Sequence, residues 1–194
     1  MSSKAVSPQK ISARDKLIDA AGQLMLECGY AAVTSRRVAA QAGLKPQLVH
    51  YYFRSMDDLY LALYHRFVEG LVERQEAVLQ SSTPLRALWE MMRDSRGVLL
   101  TEFQALANHK QGIRQEIASF SRHFREEQVR IIEELYSTRD MSGFTLSPAM
   151  LSLTLNALSR SLATETQFDI TAAHEEALGL VERLITGVDE APLV

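Results

Sequence analysis

The residues best suited to chemistry in this chain are polar and aromatic side chains grouped just after Lys45. On a helix that advances about 100° per residue, Gln47 and Tyr51 point away from the apolar Val49. An amide and a phenol are poor core material, but glutamine suits the edge of adenine, and lysine suits guanine or a phosphate. Leu48 adds an apolar surface for a thymine methyl group. The segment therefore predicts contact with the major groove of duplex DNA.

Two short helices separated by a sharp turn would hold these side chains in position. Thr34 suits the N-cap of the first helix, Gly43 ends that helix, and Pro46 suits the first turn of the second. A helix-turn-helix of this kind inserts its second helix into the major groove. Arg36 and Arg37 lie on the first helix, which crosses the DNA backbone, so we expect them to contact phosphates. The alternative is a plain helical bundle with a solvated arginine pair.

The charge of the chain is divided unevenly along its 194 residues. Through Met56 there are 8 Lys and Arg against 3 Asp and Glu, a net charge of +5, whereas the remainder has 13 against 21, a net charge of −8. This asymmetry predicts a basic head for an anionic partner and an acidic body that need not touch that partner. A hydrophobic content of 46% allows a sizeable core.

Several functional classes lack support in the sequence. Cys28 is the single cysteine, which excludes an intrachain disulfide and a thiolate metal cluster. The histidines show no metal-ligand spacing, and there is no phosphate-binding glycine loop or nucleophile motif, so we expect no metal, no cofactor and no enzymatic activity. No apolar run approaches the roughly 20 residues of a membrane span, and no secretion signal is visible. We therefore expect a cytoplasmic protein without a membrane partner.

Helical spacing of apolar residues dominates the chain, and strand patterns are nearly absent. We expect an all-α fold of about nine helices: a flexible arm over residues 1–10, a three-helix head over residues 11–56 and a six-helix body over residues 57–194. Capping residues mark the expected helix starts, which are Ser12 with Asp15, Ser55 with Asp58, Thr83, Ser147 with Pro148, and Thr171.

The head resembles the tetracycline-repressor (TetR) family of bacterial transcription regulators over roughly residues 12–60. The matching residues are Ile18-Asp19-Ala20-Ala21, Gly29-Tyr30, Thr34, Val38-Ala39, Ala42-Gly43-Leu44, Val49-His50-Tyr51-Tyr52-Phe53 and Leu59. The resemblance implies that the body binds an effector and dimerises. It further implies a homodimer on double-stranded, pseudo-palindromic operator DNA, acting as a repressor that a small, largely apolar effector releases. The DNA contacts that it implies come from Thr34, Ser35, Arg36, Lys45, Pro46, Gln47, Leu48, His50, Tyr51 and Tyr52.

Two departures from the family pattern affect this interface. Lys45 stands where the family usually has Ser or Thr, so the second helix should lack a side-chain cap worth about 1 kcal/mol. Met56 stands where the family tends to have a lysine that meets a phosphate. Tyr52 lies close to the inward side of its helix, so a core position is as strong an expectation for it as a DNA contact.

Apolar side chains in the central helices are candidates for the ligand pocket, with ordinary core as the alternative for each of them. His109 and Arg122 would supply polar specificity. The other candidates are Trp89, Met92, Phe103, Phe120 and Phe124.

Apolar stripes on the last two helices are either buried within one subunit or form a four-helix interface with a second subunit. The resemblance implies the interface, and a two-fold dimer would double the number of base pairs read. The stripe residues are Leu151, Leu155, Leu158, Leu162, Leu178, Val181, Leu184 and Ile185.

Other functions remain open at this point. A transcriptional activator or a ligand-independent regulator would have the same fold. A small helical enzyme, a lipid-binding carrier or a protein adaptor would carry the basic head incidentally. The latter three predict no binding to duplex DNA, so salt-sensitive retention of random DNA fragments separates them from a regulator.

Overall fold

The computed structural model describes residues 12–78, 80–93 and 97–194, so the arm predicted for residues 1–10 lies outside the described residues. Over those ranges the chain forms nine α-helices and one 3₁₀-helix at Tyr30–Ala32, with a single isolated β-bridge between Arg139 and Leu193. The all-α prediction is confirmed. The α-helices are α1 Ala13–Cys28, α2 Ser35–Gln41, α3 Gln47–Tyr52, α4 Met56–Val78, α5 Pro84–Arg93, α6 Gly97–Ala107, α7 Gln111–Ser137, α8 Pro148–Thr166 and α9 His174–Asp189.

Local capping chemistry sets three of the helix starts as expected. The Ser12 hydroxyl accepts from the Asp15 amide at 3.1 Å, and the Ser147 hydroxyl accepts from the Met150 amide at 3.3 Å. At the start of α4 the Ser55 amide donates to the Asp58 carboxylate and the Asp58 amide donates to the Ser55 hydroxyl. These bonds satisfy amides that the first helical turn leaves without an intrahelical partner.

Two predicted starts are corrected. At α5 the amides of Leu85 and Arg86 donate to the carboxylate of Asp189, at 3.1 and 3.0 Å, so a residue of α9 takes the role expected of Thr83. Helix α9 begins at His174, three residues after the predicted Thr171, and it follows Ala173 in a left-handed conformation with a φ of 62°.

A first hydrophobic core joins the head to the body. Ile18, Val38 and Val49 from the head share this core with Leu59 and Phe67 of α4. Helix α4 therefore belongs to both parts, and the packing is continuous across the boundary predicted between residues 56 and 57.

A second hydrophobic core holds the far end of the body together. It contains Trp89 from α5, Ile132 from α7, Leu155 from α8 and Ile185 from α9, all of them buried. None of the described helices is both long enough and apolar enough to cross a membrane.

Candidate nucleic-acid interface

The turn between α2 and α3 depends on backbone geometry at Gly43. This residue has a φ of 65°, a backbone conformation that residues other than glycine rarely adopt, although a Cβ there would meet no atom within 4 Å. Its amide donates to the Ala40 carbonyl at 3.1 Å, and the Leu44 amide donates to the Ala39 carbonyl at 2.8 Å. The glycine is therefore needed for the bend that aims α3, and not for space.

Buried side chains fix the rotation of α3 about its own axis. Val49 and Phe53 are 1% and 3% exposed in the first core, opposite the outward side of the helix. Helix α4 also holds the segment before α2, because the Tyr60 hydroxyl donates to the carbonyls of Tyr30 and Val33 at 3.2 and 3.0 Å. Burial, with smaller contributions from Asp57 and Tyr30, raises the pKa of Tyr60, so the phenol remains a hydrogen-bond donor.

The opposite side of α3 is open to solvent. Tyr51 is 78% exposed, and the neighbouring Tyr52, at 38%, contacts it edge to face with a centroid distance of 5.0 Å. Tyr52 therefore lies on the outer side and not in the core. Within the described chain, the exposed side chains of Lys45, Gln47 and His50 form no hydrogen bond or ion pair. The outward face, with Pro46 exposed and Leu48 half-buried beside it, is free to contact a partner.

The two arginines of α2 differ in their surroundings. The Arg37 guanidinium donates to the Cys28 sulfur at 3.4 Å, whereas Arg36 is exposed and makes no such bond in the described residues. The Thr34 hydroxyl caps α2 through a long bond of 3.4 Å from the Arg37 amide, and Ser35 is half-buried. Arg36 is thus better placed than Arg37 for a phosphate.

The two departures from the family pattern have structural counterparts. Helix α3 has no side-chain cap at its start, as expected with Lys45 in place of Ser or Thr. Met56 is half-buried against the first core. The first turn of α4 therefore presents an apolar side chain to the core where the family tends to have a cation.

Two residues near this interface were missed by the sequence analysis. Arg14 of α1 lies over the ring of Phe53, with its guanidinium carbon 5.4 Å from the ring centroid, and so adds a cation beside the end of α3. Glu102 of α6 accepts a hydrogen bond of 2.7 Å from the Tyr30 amide, which fastens the body to the segment before α2. The basic charge of the head could have indicated Arg14. No local pattern could have indicated Glu102, because its partner Tyr30 lies 72 positions away in the sequence.

The predicted pocket residues separate into three groups. Met92, Phe120 and Phe124 line three adjoining cavities that share Leu100 and Arg160, together the central cavity. Trp89 and Phe103 are 5% and 0% exposed because each packs within a hydrophobic core, and neither lines these three cavities. His109 and Arg122 also lie outside these three cavities. Both are exposed, and His109 lies beside Tyr30 of the head, with 6.5 Å between the ring centroids.

The predicted interface residues also divide according to burial. Four of them face the second core and offer no surface to a partner, which corrects the prediction at Leu151, Leu155, Val181 and Ile185. The other four are half-buried, namely Leu158, Leu162, Leu178 and Leu184. Exposed apolar side chains on the same two helices are Met150, Leu153 and Leu180, at 49%, 49% and 39%.

Among the residues that the structure describes, no three His, Cys, Asp or Glu side chains come together as a metal site would require.

Residues 17–67, which include α2, α3 and the turn between them, match the family described as bacterial regulatory proteins, tetR family. The HTH-type transcriptional regulator BetI of Rhizobium meliloti is 28% identical over 127 residues. That match covers 65% of this chain and 59% of BetI, so it spans about three fifths of the length of this curated relative.

Solved structures share the fold over nearly the whole chain. A TetR transcription regulator from Haloarcula marismortui superimposes with a TM-score of 0.71 at 20% identity, covering 94% of this chain and 98% of that one. The transcriptional regulator FadR from Bacillus subtilis, solved in complex with stearoyl-CoA, gives 0.65 at 19% identity, covering 89% and 98%. At such identities the likeness is one of architecture.

Proposed function

We propose that this chain, which belongs to the TetR family of bacterial transcription regulators, represses transcription as a homodimer on operator DNA and is released by a small, largely apolar ligand. The observation that carries this proposal is the outward face of α3. Gln47 and Tyr51 are exposed there, while Val49 and Phe53 hold the same helix from behind. A polar face on a rigidly seated helix is what reading of base edges requires.

In this proposal, the residues of α2 and α3 make two kinds of contact with DNA, to base edges and to phosphates. Gln47, His50 and Tyr51 on α3 reach base edges, and Leu48 contacts a thymine methyl group. Arg36 and Lys45, together with Thr34 and Ser35, contact phosphates at the rim and fix the register of the helix.

A two-fold dimer places two copies of α3 in successive major grooves, about 34–36 Å apart. Exposed Leu153 of α8 and Leu180 of α9 support an interface on these helices, since a monomer leaves their apolar side chains in contact with water and a dimer would bury them. Half-buried Leu158 and Leu184 extend this surface. We propose these four leucines as its centre in place of the stripe residues that the second core buries.

Helix α6 supplies a physical connection between a ligand in the body and the head. Its Leu100 and Gln104 line the central cavity, while Glu102 between them accepts from the Tyr30 amide at 2.7 Å. A ligand that displaces α6 therefore also displaces the anchor of the segment before α2. Such a ligand releases DNA only if it binds the displaced state more tightly than the operator-binding state. FadR of B. subtilis, a protein of the same fold, was solved in complex with stearoyl-CoA, a molecule with a long apolar acyl chain on a charged head.

The experiment begins with selection of duplexes that the purified chain retains from a genomic library, followed by affinity measurements on the best duplex. Gln47→Ala and Tyr51→Ala should each weaken binding by about tenfold or more, because a good base contact is worth about 1–3 kcal/mol. Gln115→Ala, at an exposed glutamine of α7 in the body, is the matched control and should bind as the parent does. Circular dichroism checks that each variant is folded. Unchanged affinity in both α3 variants would show that α3 is not the helix that reads the base sequence.

A further inference from the structure

The central cavity has two chemically different walls. Phe67, Leu71, Leu100 and Phe124 form an apolar side. The three cavities that compose it measure about 100, 130 and 150 Å³ and share the lining residue Arg160. A ligand that fills this space therefore meets both hydrocarbon and a cation.

Two arginines of the polar wall have no counter-ion among the described residues. Arg125 of α7 and Arg160 of α8 both line the cavity of about 130 Å³, and no aspartate or glutamate is among the described lining residues of the three cavities. Arg125 makes no hydrogen bond or ion pair in the described chain, and Arg160 donates only to the Gln104 amide oxygen, at 3.3 Å. Burial, and to a smaller extent the positive charge of the nearby Arg160, lower the pKa of Arg125.

Gln128 adds a buried donor to the same wall. Its side chain is 0% exposed, and its amide oxygen accepts from the Ser152 hydroxyl at 3.1 Å and from the Asn156 amide nitrogen at 2.9 Å. Since the Asn156 nitrogen can only donate, these bonds fix which end of the Gln128 amide is the oxygen. The Gln128 nitrogen is buried and has no partner among the described residues. A buried donor without an acceptor is costly, so a ligand acceptor at this position would be favoured.

We propose that the central cavity binds an amphipathic oxyanion, with a carboxylate or phosphate head between Arg125, Arg160 and the Gln128 amide, and with its apolar tail against Phe67 and Phe124. Guanidinium groups match the planar geometry of a carboxylate or the oxygens of a phosphate, and they donate charge-assisted hydrogen bonds. The inference rests on the proposed function in so far as it takes this cavity as the effector site, and it specifies the chemical class of the effector.

The test is calorimetric titration of the full chain with four probes of equal chain length: decanoate, decyl phosphate, 1-decanol and decylamine. Decanoate or decyl phosphate should bind at least tenfold more tightly than the alcohol, and the amine should not bind. Comparison of the two anions decides between carboxylate and phosphate. Arg125→Gln and Arg160→Gln should each weaken anion binding about tenfold, the effect of losing one charge-assisted hydrogen bond.

Arg122→Gln is the matched control, because Arg122 lies on the same helix one turn before Arg125 and is exposed outside the cavity. It should leave anion binding unchanged, and circular dichroism should show all three variants folded. Equal binding of alcohol and anion would overturn the inference, as would an equal loss in Arg122→Gln or an absence of anion binding by the folded parent.

Duplex binding, measured on the same samples, separates this inference from the proposed function. If the chain retains a selected duplex but binds neither anion, the oxyanion site is wrong while the DNA-binding assignment stands. If an anion binds with the arginine dependence described and never releases the duplex, the site stands and release by this class of ligand is wrong.

Discussion

Removal of the Glu102 carboxylate should loosen the head from the body. The Tyr30 amide donates to this carboxylate at 2.7 Å, and both residues are half-buried. In Glu102→Ala the amide loses its partner, whereas Glu102→Gln keeps an acceptor oxygen but loses the charge. We therefore expect a graded effect, with the glutamine variant between the parent and the alanine variant.

The magnitude follows from the type of bond. A hydrogen bond to a charged group contributes about 1.5–3 kcal/mol, and partial exposure to solvent reduces this to about 1–2 kcal/mol. For a chain of this size a loss of about 1.5 kcal/mol corresponds to a fall in melting temperature of about 3–6 °C. If the amide exchanges through local opening of this segment, its exchange rate should rise about tenfold.

Amide hydrogen exchange at Tyr30, followed by NMR and combined with urea unfolding, measures both effects. Glu116→Ala is the matched control because Glu116 pairs with His65 at an exposed site, where an ion pair contributes little. It should leave Tyr30 exchange unchanged. Parental exchange at Tyr30 in Glu102→Ala would refute the idea that α6 holds the head through this bond.

Three further predictions concern phosphate contact, dimerisation and acid stability. Arg36→Ala should reduce the slope of log affinity against log salt by about one unit per subunit. Arg183→Ala on α9 is the control and should leave the slope unchanged. An equal slope in the parent and in Arg36→Ala would count against a phosphate contact. The double variant Leu153→Glu and Leu180→Glu should sediment as a monomer. Leu26→Glu, at a similarly exposed leucine on α1, is the control and should sediment as the parent does. A dimer that persists in the double variant would place the interface elsewhere. Hydrogen bonds from His174 and then Ser161 lower the pKa of Glu165 from its ordinary 4.5, so the stability they contribute is present above about pH 4.5 and lost as the pH falls through the lowered value. The difference in the free energy of unfolding between the parent and Glu165→Gln, measured with urea, should therefore shrink as the pH falls below about 4.5. A difference that stays constant with pH would contradict this prediction.

Features that depend on local sequence could be predicted well. The bend at Gly43 and the caps at Ser55 and Ser147 involve atoms within a few residues of one another, so residue type and spacing suffice. The outward direction of Gln47 and Tyr51 likewise follows from helix periodicity once Val49 is placed inside.

Features that depend on distant contacts could not be predicted from the same information. Phe103 and Phe124 are alike in type and both lie on helices, but Phe103 packs in a core and Phe124 lines the central cavity. Arg122 and Arg125 differ by about one turn of α7, and the rotation of that helix decides which of them faces the cavity. That rotation is set by packing against α6 and α8, for which the sequence carries no local signal.

Caps and anchors supplied from a distance were missed for the same reason. The carboxylate of Asp189 receives the first amides of α5 from about one hundred positions away, where a local rule assigned the role to Thr83. The apolar stripes of α8 and α9 contain residues for the core and residues for the surface. Only the packed structure distinguishes Leu155, which is fully buried, from Leu153, which is about half exposed.

Selection of duplexes from a random library by the unmodified chain, at low ionic strength, tests most directly whether the face of α3 reads DNA. We expect enrichment of a two-fold symmetric sequence whose half-sites are about one helical turn apart. Retention of no duplex would contradict the account, and so would retention of all duplexes without enrichment, because the side chains beyond Gly43 would then recognise no base sequence.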